Sequence, residues 1–299
     1  MRNAFSQIDL ARLPSPDAVE ALDFEAIHQG MMQDLQRLMP EFSALTESDP
    51  AYKIIEVAAY RELMLRARIN AATRATMLAY ARGADLDQIA ANYGVSRLVR
   101  DPGNDAAIPP IPAVLETDDE LRERVTLSLE GYSTAGPRGA YEFHALSASG
   151  DVLDVGIKRL QPGTVGVSVL SRTGNGTPPA ETLQAVINAL NAEDVRPLCD
   201  TVSVTAARIV EYQIEAVLTV YPGAGADEVQ AQAIASAEAY AQSQRRLGRD
   251  ITRSGVFAAL HGAGVQNVRL VQPARDLVVG WDEAPHCTGV AVTVGGVDD

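Results

Sequence analysis

The sequence predicts an α+β fold in which a helical N-terminal half, carrying one long helix, is followed by two successive small α+β units. Three observations predict it. Apolar residues recur at spacings of three and four up to about residue 149, valine-rich runs of strand length take over after Gly150, and glycines and prolines punctuate both regimes where helices end or strands turn. At 299 residues and 46% apolar content the chain is long enough for about two domains, each with a core. Composition divides it into a helical region (1–100), a proline-rich linker (101–113), a helical connector (114–150), a first α+β unit (151–206) and a second (207–299).

Each element has a local reason. Asp17 to Met39 reads as an amphipathic helix through Phe24, Ile27, Met31, Leu35 and Leu38, stopped by Pro40. Asp49-Pro50, a cap followed by a first-turn proline, starts a helix of roughly thirty residues, about 45 Å long, that the spacing carries to Tyr80 or Ala81 with Gly83 at C′. Its alanines (Ala58, Ala59, Ala67, Ala71, Ala72, Ala75, Ala79) thin its surface for close approach of another helix. A short helix over Leu86 to Tyr93 is closed by Gly94. Four prolines and a glycine between Asp101 and Ala113 forbid helix and favour an extended, semi-rigid connector. Thr117 caps a helix with Asp118, Asp119 and Glu120 in its first turn, and Gly131 to Gly139 turns into a further helix over residues 140–149. Strands at Val152 to Ile157 and Val165 to Val169 meet through Gln161-Pro-Gly163, and a helix (Pro179 to Asn191) and a strand (Thr201 to Thr205) complete a ββαβ unit. The second unit runs as a strand (Val210 to Val220), helices (Asp227 to Leu247 and Arg253 to His261) and strands (Val265 to Val271 and Thr288 to Val294).

Chemistry-bearing motifs are scarce. The start, Met1 to Asp9, has no uninterrupted apolar signal core and no apolar run reaches spanning length, so a soluble, cytoplasmic chain is expected. Cys199 and Cys287 stand apart without a CxxC, and His28, His144, His261 and His286 lie in separate elements, so neither a disulfide framework nor a metal site is expected. Gly223-Ala-Gly225 lacks the third glycine of a dinucleotide fingerprint, where Glu228 stands, and there is no phosphate-binding P-loop. Catalytic, cofactor and metal residues are therefore expected to be none. The rival readings are a hydrolase using His286 or Cys287 and a single-stranded nucleic-acid module on the long helix.

Charge supplies the positive signal. The chain carries −14, yet residues 51–82 alone carry +4, through Lys53, Arg61, Arg66, Arg68, Arg74 and Arg82 against Glu56 and Glu62. An acidic chain is repelled by phosphate backbones and anionic lipid, and the helix lacks the interleaved aromatics that single strands require. Neither nucleic acid nor membrane is an expected partner. A protein contact through Lys53, Arg61, Arg66, Arg68 and Arg74 is the better functional reading, because guanidinium groups pair bidentately with carboxylates. Pro102, Gly103, Pro109, Pro110 and Pro112 in one connector, and Gly131, Gly136 and Gly139 in the next, are the candidate hinges.

Several segments in order carry a resemblance. They are Gly83 to Val95, Ser133 to Ser147 (STAGPRGAYEFHALS) leading into Val152-Leu-Asp-Val155, Val195 to Asp200, Leu247 to Ile251, and Val265 to Leu270 with Pro273. Through them the whole chain resembles the baseplate J family of contractile-tail bacteriophages and phage-tail-like bacteriocins. Cys199 departs from the pattern, standing where threonine or another small residue is expected. The resemblance implies a structural, non-enzymatic subunit of a baseplate wedge. Two copies join a second wedge protein, the N-terminal helices enter an intersubunit bundle, and the C-terminal parts link wedges into a ring around hub and spike, with sheath-proximal and hub proteins as further partners. It also implies assembly in the host bacterial cytoplasm, and then residence in the baseplate of the released phage or bacteriocin particle.

Overall fold

The computed structural model describes residues 10, 13–14, 16, 18–42, 45–133, 135–223 and 225–298. Eight α-helices and eight strands are present among them, an α+β composition as the sequence predicts. The chain forms two compact units, one ending at Ser96 and the other beginning at Arg97. No helix among the described residues is long and apolar enough to cross a membrane.

The first unit is helical. Helix α1 (Phe24–Leu38) begins where the Asp23 carboxylate accepts the Ala26 amide, seven residues after the start read from periodicity. Asp17 itself lies outside the described residues, and Ala18 to Asp23 are not helical. Helix α2 (Pro50–Ala75) has 26 residues and ends short of Tyr80. The last turn tightens: the Thr73 carbonyl accepts the Thr76 amide (3.3 Å) and hydroxyl (2.9 Å), and the Met77 amide turns to the Arg74 carbonyl (3.1 Å), so the ladder shifts from i→i−4 to i→i−3 bonds and stops. Gly83, expected to close α2, instead opens helix α3 (Gly83–Ala91), whose end is closed by Gly94 at φ +67°. Asn70 of α2 is buried and clasps the incoming chain, donating to the Glu20 carbonyl and accepting the Glu20 amide at 2.9 and 3.1 Å.

The second unit opens with a hairpin. Strands β1 (Val99–Asp101) and β2 (Val114–Leu115) pair antiparallel, and Asn104 and Ile111 exchange both backbone hydrogen bonds (2.8 and 3.0 Å). The segment 101–113 therefore doubles back and does not run extended. Its prolines sit at positions that owe no hydrogen bond to the ladder, Pro102 and Pro112 flanking the Asn104–Ile111 bridge and Pro109 and Pro110 at the tip, so they leave the closure intact. Helix α4 (Asp118–Gly131) starts on a full capping box between Thr117 and Glu120, and α5 (Arg138–Ser147) follows.

Strands β3 (Val152–Gln161), β4 (Thr164–Ser171) and β5 (Thr201–Ala206), with helix α6 (Ala180–Leu190), form the predicted ββαβ layer; the sheet order is β3-β4-β5, antiparallel then parallel. The β3–β4 turn holds Gly163 at φ +74°. Its core gathers Leu127, Tyr141, Ala145, Val155, Val167, Val169, Val186 and Leu190. Strand β6 (Arg208–Val220), helices α7 (Ala226–Gln244) and α8 (Arg253–Leu260), and strands β7 (Val265–Gln272) and β8 (Glu283–Val297) form the second layer, in order β7-β6-β8. Ile214, Leu218, Ala237, Ile251, Val256, Leu260 and Val292 fill its core. A smaller cluster of Leu170, Ala207, Leu247 and Ala284, together with the Leu247 amide donating to Asp154 at 2.9 Å, ties the layers together. Their connectivities differ, ββαβ against βααββ, so the layers are not a repeat.

Candidate assembly surfaces

Helix α2 has two unlike faces. Toward α1 it presents buried Ala59 and Asn70 and half-buried Tyr52, Ile55 and Leu63, and the ring of buried His28 sits between Phe24 and Tyr52, with centroids 5.9 and 4.9 Å away. The opposite arc carries Ile54, Val57, Tyr60, Met64, Leu65 and Ile69, all 50–69% exposed. At 100° per residue these six occupy about half the circumference of the helix and extend about 22 Å along it. A contiguous apolar stripe of this kind is a candidate contact surface, which scattered single apolar residues are not.

That geometry separates the basic residues singled out from sequence. Arg61 and Arg68 point along the middle of the exposed apolar arc. Arg66 points toward the α1 side, pairing with Glu62 (2.7 Å) and Glu20 (3.0 Å), and Lys53 pairs with Glu56 (2.7 Å). Arg74 is exposed near the C-terminal end of α2. Composition showed the excess of positive charge; the apolar stripe between the arginines was overlooked, although its three-and-four spacing is present in the sequence.

The base of the β1–β2 hairpin is fastened by charge. Glu116 and Arg124, both buried, form a bidentate pair (2.7 and 2.8 Å), and Glu116 also accepts the Leu98 amide. Arg97 bonds the Glu116 carbonyl (2.6 Å) and Asp118 (2.8 Å). Glu120 receives Arg100, Arg172 and the Thr117 hydroxyl. Burial alone would raise the Glu120 pKa, but hydrogen bonds from Thr117 and Arg100 and the charge of Arg172 outweigh it and lower the carboxyl to about 2.

Of the candidate hinge glycines, Gly103 and Gly136 sit in turns at positive φ, whereas Gly131, expected in the turn, is the last residue of α4 and Gly139 the second residue of α5. Gly103 (φ +71°) has Ile111 O where a Cβ would stand, at 2.3 Å, and Gly136 (φ +68°) has Pro197 Cγ at 2.7 Å. A Cβ on Gly131 would meet the Phe143 ring, and one on Gly139 would meet the Glu130 side chain. His286 and Cys287 are successive residues of β8, registered against Glu211 and Tyr212 of β6, and burial raises the pKa of the Tyr212 hydroxyl. His144 Nε2 lies 3.2 Å from the Gly131 carbonyl, His261 ends α8, and Cys199 is exposed. No group of three or more metal-ligating side chains is assembled among the described residues.

Comparison with known proteins gives three family matches in chain order: the Baseplate J-like N-terminal domain over residues 47–104, the Baseplate J-like central domain over 133–206, and the Baseplate J-like protein C-terminal domain over 212–293. The chain is 48% identical over 299 residues to baseplate protein J of Escherichia phage P2, a match covering 98% of this chain and 99% of that protein. It is also similar to a chain in the six-fold symmetrised cryo-EM structure of the anti-feeding prophage baseplate, at 14% identity and a TM-score of 0.41 over 60% of this chain and 44% of that one. An exposed apolar helix face, a fold of small sheets and a near full-length relative of almost half identity lead to one conclusion: the chain belongs to the baseplate J family and is a structural subunit of a contractile-tail baseplate.

Proposed function

We propose that the chain is a wedge subunit, two copies of which join a second wedge protein, with the wedges closing into a ring around the central hub and spike. The observation that carries the reading is the exposed apolar arc of α2, Ile54 to Ile69. A helix apolar on two opposite faces is satisfied only between two neighbours. Helix α1 supplies one; a helix of another wedge chain supplies the second, with Arg61 and Arg68 reaching carboxylates on that partner. The C-terminal half, residues 151–299, carries the contact between wedges, which is reinforced by closure of the ring and need not be strong alone. Because two copies beside one partner meet different surroundings, the chain adopts two arrangements that differ chiefly at residues 101–113 and 131–139. Co-expression with the wedge partner tests the reading: wild-type chain co-purifies with it, and an α2 double variant, Leu65→Asp with Ile69→Asp, does not. Retention of the partner by that variant overturns the assignment of α2.

A further inference from the structure

The outer edges of the two larger sheets are guarded, with one exception. Strand β3 slips register at Val152/Asp154 and Arg159/Gln161 and carries Lys158 and Arg159. The β6–β7 pairing slips twice and β7 carries Arg269. Strand β8 slips at Thr288 and Gly295, and the Gln230 side chain donates to the Val292 carbonyl at 2.7 Å. Bulges and charges of this kind are how natural sheets refuse a further strand. Strand β5 has neither. It pairs with β4 without a slip over six residues, and Thr201-Val-Ser-Val-Thr-Ala206 contains no charge and no proline.

The backbone phase of β5 is known. The Thr201 amide donates to the Gly163 carbonyl (2.7 Å) and the Ala207 amide to the Val169 carbonyl (2.8 Å), so the odd-numbered residues bond to β4. In a parallel ladder both backbone groups of a residue point the same way, which leaves Val202, Val204 and Ala206 directing theirs outward. Thr201, Ser203 and Thr205 are exposed. Residues 201–205 also read the same in both directions, Thr-Val-Ser-Val-Thr about Ser203.

We propose that β5 is a self-pairing edge: two copies of the chain join antiparallel about a two-fold axis at Ser203, extending the β3-β4-β5 sheet across the contact. This rests on the wedge reading and says which strand links the copies. In that register Val202 of one copy faces Val204 of the other, both with outward backbone groups, so each of the two pairs exchanges two hydrogen bonds. Ser203 meets its own mate, and Thr201 meets Thr205, giving matched hydroxyl pairs of the kind that stabilise cross-strand contacts. A two-fold contact places each residue type against itself or its mirror position, so a charge-free palindrome suits it where a charged edge does not. Each copy carries −14 in total, so added salt strengthens the pairing by screening the mutual repulsion.

The test uses the full chain with Cys199→Ser and Cys287→Ser as background. Ser203→Cys places two thiols at a narrow non-hydrogen-bonded pair, about 4.5 Å between Cα atoms, inside the roughly 4.4–6.8 Å window of a disulfide. Thr205→Cys places its thiols on Cα atoms about 14 Å apart. Diamide then gives a covalent dimer for Ser203→Cys and none for Thr205→Cys. Val204→Pro removes an outward amide while sparing the bonds to β4, so sedimentation shows at least tenfold weaker self-association with an unchanged far-ultraviolet spectrum. Equal cross-linking of the two cysteine variants, or no cross-linking of Ser203→Cys, overturns the β5 assignment. If the chain still self-associates, a different surface links the copies and the wedge reading survives; loss of partner binding in the α2 experiment is read separately.

Discussion

Replacing Leu65 and Ile69 of α2 with aspartate separates folding from assembly. The two side chains are 64% and 61% exposed, so most of their burial energy is unrealised in the isolated chain. Full burial of such a side chain contributes roughly 1.5–3 kcal/mol, which leaves roughly 1–2 kcal/mol per residue to be gained against a partner helix. Losing both weakens the complex by roughly 2–4 kcal/mol, or about 30- to 1,000-fold, before the added cost of desolvating two carboxylates. Folding of the isolated chain changes little, because substitution at an exposed helix position stays near 0.5 kcal/mol per site. Sedimentation or calorimetric titration against the purified wedge partner measures the first quantity, and thermal unfolding of the chain alone measures the second. Arg66→Glu is the control: Arg66 points toward the α1 side and pairs with Glu62 and Glu20, so its reversal leaves assembly intact. Wild-type affinity in the double variant, or loss of assembly in Arg66→Glu alone, refutes the assignment of faces.

Further outcomes follow from the same geometry. Arg61→Glu with Arg68→Glu abolishes co-purification with the wedge partner while thermal unfolding shifts by only a few degrees, since exposed charges contribute little to folding. Glu116→Ala leaves Arg124 buried without its bidentate acceptor and destabilises the second unit by roughly 3–5 kcal/mol, whereas Glu116→Leu with Arg124→Met costs less than the two single changes together; denaturant titration measures both. The Glu120 carboxyl, held at about 2, contributes stability that is fully present above about pH 4.3 and is lost as pH falls through 2, so the stability difference between wild type and Glu120→Gln is constant near neutrality and closes across that window. Superposing the two copies in a particle map places the largest backbone differences in residues 101–113 and 131–139; differences inside α2 or the sheet strands remove the hinge assignment.

Most of the architecture was legible because local chemistry and tertiary structure agree. The Thr117/Glu120 box starts α4, Gly163 turns β3 into β4, and Gly94 closes α3, each through a backbone requirement that few residue types meet. Where the reading went astray, the deciding term was one that spacing does not carry. Proline density at 101–113 rules out helix, but says nothing of where the ends of the segment go; the Asn104–Ile111 exchange and the bonds between Leu98 and Glu116 bring them together, and the latter join residues that lie outside the proline run. The end of α2 lies where the Thr73 carbonyl accepts the Thr76 amide and hydroxyl and the ladder tightens, a local competition that the spacing of apolar residues does not carry.

The surface proposed for assembly combines a charge pattern legible in the sequence with an apolar arc that is not read from composition. Summing charge over residues 51–82 treats the helix as a line, but a helix presents angles: Arg66 and Arg68 are two residues apart and about 200° apart around the axis, so one pairs inside its own unit and the other lies amid the exposed apolar arc. The stripe Ile54–Val57–Met64–Leu65 and the opposite stripe Tyr52–Ile55–Ala59–Leu63 together make the helix look weakly amphipathic, because two apolar faces cancel in any one-sided measure. Such cancellation is itself the signature of a helix placed between two neighbours. The β5 edge follows the same logic from the other side: the palindrome about Ser203 is visible in the sequence, but that β5 is an outermost strand, free of bulges and phased with Val202 and Val204 outward, depends on its register with β4. Surfaces made for partners therefore look unremarkable along the chain and become distinct only when each residue is given a direction.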